Sequence, residues 1–127
     1  MTNITVYRFS DGSLAGLMAK GHSQDSGLEG NDLVCCAVSV LMETGANALE
    51  EIVGLNTDDI CQMDDGYLQY IIPADLDQER KQKAEIVLRT IEQGLKDIQK
   101  IYPKFIRIQP KEWRKKDAYD ESSALRA

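Results

Sequence analysis

Apolar and polar positions divide the chain into short stretches of period two and longer stretches of helical period. Ile4 to Phe9 alternates β-branched and aromatic side chains with polar ones, which predicts a half-buried strand. Asp11-Gly12 marks a hairpin turn, and Leu14 to Lys20 reads as the returning strand, with His22 just past its end. Ser23 to Asn31 holds Gly27 and Gly30 without apolar periodicity and reads as a mobile flap. The period then changes. Val34, Val38, Leu41, Ala48, Leu49 and Ile52 recur on one face of a helix, for which Asp32 is the expected N-cap. Gly45 weakens the centre of that helix, and Gly54 is its expected terminator. Ile60 to Met63 and Tyr67 to Ile72 flank Asp64-Asp65-Gly66 as a second hairpin, closed by Pro73. A second helix starts near Asp77, with Ala84, Val87, Leu88, Ile91, Leu95 and Ile98 as its buried stripe, and stops at Pro103. Phe105 to Ile108 predicts a last strand. From Pro110 the chain is charged, without periodicity, and reads as a frayed appendage.

This order predicts an α+β fold, a largely antiparallel sheet with two helices packed on one face. Residues 1–109 are the expected domain and 110–127 a charged C-terminal tail. The 127 residues, 43% apolar and 28% charged, suit one globular domain with its own core.

Charge narrows the partners. The net charge of −6 argues against direct nucleic-acid binding and against an anionic membrane surface, and favours a cationic peptide or basic protein. Met1 to Phe9 lacks the apolar block of a signal peptide. The longest nearly apolar run, Leu33 to Met42, is far shorter than the roughly 20 residues of a membrane span. Three cysteines, two of them adjacent, do not make a disulfide framework. Reduced thiols and a soluble, cytoplasmic protein are the expectation.

The candidate chemistry lies where these elements meet. Asp32-Leu33-Val34-Cys35-Cys36-Ala37-Val38-Ser39 opens the first helix with cysteine in its first turn. A helix N-terminus favours thiolate, and His22, the only histidine, is the candidate base. Cys35 falls at the margin of the apolar face, where a nucleophile can meet substrate; Cys36 falls nearly opposite the centre of that face. Cys61, inside a strand pattern, reads as packing. Asp32, Asp25 or Glu29 would orient the imidazole, and spacing does not rank them. A zinc site of His22, Cys35, Cys36 and Cys61 is disfavoured, because adjacent cysteines on a helix point about 100° apart. A vicinal Cys35–Cys36 disulfide would strain the helix.

At Gly21-His22 and at the octapeptide Asp32 to Ser39 the chain resembles the bacterial ribosomal-processing cysteine proteases. That family shows Gly-His at the end of the second strand, a glycine-containing loop, and Asp-Ile-Val-Cys-Ala-Ala-Val-Ser opening a helix. The resemblance spans roughly residues 1–109. It implies Cys35 as nucleophile and His22 as base; Asp32 and Ser39, in the same octapeptide, are candidate supporting residues. It also implies a homodimer without metal or organic cofactor. Its substrate would be a large-subunit ribosomal protein with a basic N-terminal extension, which the enzyme removes. Cys36 stands where the family has alanine, and the loop is one residue longer than the usual spacing. The competing reading is a catalytically silent, ribosome-associated binding module on the same scaffold.

Overall fold

The N-terminal alternation folds as a pair of strands, β1 (Thr2–Arg8) and β2 (Leu14–Lys20), antiparallel with Ile4 opposite Ala19 and Val6 opposite Leu17. The structure, a computed structural model, describes residues 1–21 and 31–114. The flap expected at 23–31 lies outside them except for Asn31, as does His22. After residue 30 come α1 (Asn31–Glu51), the short α2 (Thr57–Ile60), β3 (Cys61–Asp64), β4 (Tyr67–Ile71), α3 (Gln78–Ile101) and β5 (Ile106–Glu112). The strands form one sheet in the order β3-β4-β2-β1-β5. Every neighbouring pair is antiparallel except β1 with β5, which is parallel. This is the expected α+β architecture.

The core lies between one sheet face and the two long helices. Ile4, Val6, Leu17, Leu68, Tyr70 and Ile106 from the strands meet Val34, Val38, Met42 and Leu49 of α1 and Ala84, Leu88, Ile91 and Leu95 of α3. Each fully buried aliphatic side chain contributes on the order of 1.5–3 kcal/mol. That apolar layer fixes where α1 rides on the sheet. On the opposite face the hydroxyls of Tyr7 and Tyr67 both donate to Oε1 of Gln69, at 3.3 and 3.1 Å. Gln69 is buried there in a polar, aromatic patch.

Several expectations are corrected. Helix α1 begins at Asn31, so Asp32 stands inside its first turn rather than capping it, and Cys35 lies just beyond that turn. Its buried stripe also differs. Met42, Ala46 and Val53 are buried, Leu41 and Ala48 are half-buried, and Ile52 is 60% exposed. The helix ends at Glu51, and the chain then folds back, with the Val53 N–H on the Ala48 carbonyl and the Leu55 N–H on the Leu49 carbonyl. Helical phase is lost there, so Val53 turns inward and Ile52 outward. Gly54 does terminate the helix, with φ of +83°, a conformation cheap only for glycine.

Ile60 ends α2 instead of opening a strand, because Asn56 caps that turn by accepting from the Asp58 N–H at 2.9 Å. Asp77 caps α3 as expected, accepting from the Arg80 N–H at 3.2 Å. The segment from Pro110 is not frayed at its start. Strand β5 continues to Glu112, the Trp113 N–H donates to the Arg8 carbonyl at 2.7 Å, and the Trp113 ring stands edge-on to Tyr7 with centroids 5.2 Å apart. An edge strand tolerates Pro110, which lacks an N–H.

Candidate active site

Between the N-terminal half of helix α1 and the ends of β2, β3 and β4 lies a small open cleft of about 160 Å³. One wall is α1 itself, through Cys35, Val38, Ser39, Met42 and Glu43. These positions recur at helical spacing from the thiol, so one side of the helix faces the cleft. The other wall is the end of β2, through Ala19, Lys20 and Gly21, with Met63, Asp64, Gly66, Tyr67 and Leu68 of the second hairpin.

The three cysteines separate as the helical wheel suggests. Cys35 is half-buried on the cleft wall and Cys36 is exposed on another side of α1. Cys61, on β3, is half-buried away from the cleft lining. Burial pushes its thiol above the ordinary value, and the charges of Glu50 and Asp58 push in the same direction. A thiol held protonated is a poor nucleophile, which fits the packing role read for Cys61. Among the described residues no three His, Cys, Asp or Glu side chains are placed to hold a metal ion.

Ser39 is one turn on from Cys35, and its Oγ donates to the Cys35 carbonyl at 2.9 Å. This back-bond steadies the turn that carries the thiol. Asp32 is exposed, three residues before Cys35, and does not line the cleft. The first-turn N–H groups of α1 have no acceptor within the helix, and a helix N-terminus favours negative charge. His22 lies outside the described residues, but the residue before it does not. The Gly21 N–H donates to the Gly66 carbonyl at 2.9 Å. A Cβ at Gly21 would meet Thr2 at 3.0 Å. The chain therefore enters residue 22 from a fixed point on the cleft wall.

The structure thus brings Cys35, Ser39 and Gly21 to one cleft and leaves Asp32 at its margin. Sequence reasoning missed Val38, Met42 and Glu43 as cleft residues, although their spacing from Cys35 was sufficient to find them. It had no access to Asp64, Gly66 and Tyr67, because only strand pairing carries that hairpin to the thiol.

The fold is that of a small α+β domain with a half-buried cysteine on the wall of an open cleft, and the family to which it belongs is one of cysteine peptidases. The chain belongs to the cysteine protease Prp family, whose model matches residues 1–107. The ribosomal processing cysteine protease Prp of Bacillus subtilis (strain 168) is 27% identical over 108 residues, which cover 85% of this chain and 96% of that one. Among solved structures, SMU.848 from Streptococcus mutans aligns with a TM-score of 0.69 at 27% identity, over 89% of this chain and 96% of that one. The ribosomal processing protease Prp from S. aureus, in complex with a substrate peptide, aligns with a TM-score of 0.68 at 23% identity. It covers 87% of this chain and 100% of its own, and shares the fold.

Proposed function

We propose that this chain is an endopeptidase that removes the basic N-terminal extension of a large-subunit ribosomal protein, with Cys35 as nucleophile and His22 as its base. The observation that carries the reading is that Cys35 and Gly21, the residue before the lone histidine, line one open cleft. An open cleft suits an extended peptide, and a peptidase needs thiol and imidazole at the same scissile bond.

In this reading the Cys35 thiolate attacks the scissile carbonyl and forms a tetrahedral oxyanion, which the first-turn N–H groups of α1 stabilise. His22 gives its proton to the departing amine, and a thioester to Cys35 remains. His22 then activates water, which hydrolyses the thioester and frees the thiol. Ser39 holds the backbone of Cys35, and a carboxylate from Asp32, Asp25 or Glu29 orients the imidazolium. The family resemblance supports a cytoplasmic homodimer that needs neither metal nor organic cofactor.

Cleavage of a peptide spanning the extension junction tests the assignment. Cys35→Ala and His22→Ala are expected to abolish turnover without unfolding the protein, while Cys36→Ala retains it. Equal loss from Cys35→Ala and Cys36→Ala would sink the dyad. Tight binding of the peptide by wild-type protein without turnover would favour the silent binding module.

A further inference from the structure

Helix α1 departs twice from the pattern of a solvated surface helix. Its outer side, away from sheet and cleft, carries Leu33, Cys36, Ala37 and Val40, with Leu33 and Val40 each 59% exposed. Such a side ordinarily holds charged and polar residues. The helix is long and apolar enough, by length and composition, to cross a membrane, yet it packs on the sheet and on α3. Core packing accounts for Val34, Val38, Met42 and Leu49, and leaves the outer apolar residues unexplained.

The second departure is electrostatic. Residues Asn31–Glu51 include Asp32, Glu43, Glu50 and Glu51 and no lysine or arginine. Two of these carboxylates occupy the last turn, where the macrodipole favours cations. Exposed Asp58 and Asp59 of α2 follow. Glu50 and Asp58 belong to one acidic pole, since both act on the Cys61 thiol. Glu51 falls within about 20° of Val40 around the helix, so the outer side is apolar near the head and ends on a carboxylate about 16 Å further on, with Glu50 beside it.

We propose that this outer side of α1 is an exosite for the substrate protein, taking a segment in which apolar residues adjoin a run of lysine or arginine. The inference rests on the reading of Cys35 as a peptidase nucleophile for a basic ribosomal protein. Charge complementarity selects that occupant: a ribosomal protein supplies the cations that α1 lacks. A second copy docked through the same helix about a two-fold axis would instead bring another α1 without a cation against this face. Val40 lies about 140° around the helix from Cys35, so the bound segment wraps from the cleft over α1. Affinity gained there commits the intact protein to the cleft without contact at the scissile bond.

Steady-state cleavage of two substrates tests this: the full-length ribosomal protein with its extension, and a short peptide spanning the junction. Val40→Asp and the pair Glu50→Lys/Glu51→Lys are expected to raise KM for the full-length protein about tenfold, equivalent to about 1.4 kcal/mol, at unchanged kcat. Both variants should cut the short peptide as wild type does. Wild-type KM for the full-length protein should also rise with ionic strength, and the lysine pair should lose much of that dependence. Equal effects on both substrates, or none on either, would overturn the exosite. Conversion of a dimer to a monomer by Val40→Asp, read by light scattering, would assign the face to a second copy and overturn it as well. If wild type cuts neither substrate, the peptidase reading has failed. The exosite is then read from the Kd of full-length substrate protein for Cys35→Ala enzyme, which must rise in the same two variants.

Discussion

Gly45 shows how one side-chain position decides where the thiol sits. In isolation it is a poor helix residue, and alanine there would gain about 1 kcal/mol of propensity. The fold supplies the reason for glycine. A Cβ at position 45 would come within 2.2 Å of the Tyr70 hydroxyl and 3.0 Å of Ile91 Cγ1. Tyr70 is fully buried, its Oη 3.7 Å from Met42 Sδ, and burial holds its phenol protonated, far above the ordinary range. Neither neighbour can retreat without moving the sheet or α3. Overpacking of this kind costs about 1–3 kcal/mol, more than the propensity gain, so Gly45→Ala is expected to lower stability. Tyr70→Phe removes the atom that is struck first, so adding it to Gly45→Ala should recover part of the loss. Denaturant melts of the two single variants and the double variant check this. Additive losses would show that α1 does not depend on that close approach.

Between elements, charged side chains fasten the first hairpin to α3. Lys81 Nζ lies 3.4 Å from Asp11 Oδ2, the Leu14 N–H donates to Glu85 Oε2 at 2.9 Å, and Arg8 pairs with buried Glu92 at 3.3 Å. Asp11 is the member whose titration reads out the fastening. Hydrogen bonds from the Ser13 hydroxyl and backbone N–H, and then the charge of Lys81, lower its carboxyl from 3.8 to about 2. A carboxyl depressed in the folded state stabilises the fold above the unfolded value and loses that contribution as pH falls through the folded value. The window therefore runs from about pH 4 down to about pH 2. Asp77, held low by the Arg80 side chain and backbone N–H, acts in the same direction at the head of α3. Thermal melts of Asp11→Asn are expected to depend less steeply on pH than wild type across this window, and to lie below wild type at neutral pH. Parallel curves would mean that the turn is held by its backbone alone. This fastening matters to the site because β2 runs from the same hairpin to Gly21 at the cleft.

Across the whole molecule, what the sequence made legible is what periodicity and local chemistry encode. Alternation located β1, the Asp11-Gly12 turn located β2, Asp77 located the head of α3, and the wheel placed Cys35 at a margin and Cys36 outside. What escaped was set by partners distant in the chain. Burial of Glu92 depends on Arg8, 84 residues away, and the second cleft wall depends on the β2–β4 register. Strand β5 is the clearest case, because its Pro110, Lys111 and Glu112 carry no alternation of their own and become strand only by lying beside Val6, Tyr7 and Arg8 of β1. That pairing brings the last strand against the first, so local composition understates the order of the segment. Hydrogen exchange distinguishes the two views. A frayed segment would leave the Trp113 amide exchanging at the rate of an unstructured peptide. With its N–H on the Arg8 carbonyl, that amide is expected to show protection comparable to the β1–β5 ladder. Removing the ring by Trp113→Ala should also cost about 1–2 kcal/mol, less than the roughly 3–5 kcal/mol of a fully buried tryptophan, because the ring is only half-buried on Tyr7. An unprotected amide together with an unchanged melting point in Trp113→Ala would return the segment to the status of a tail.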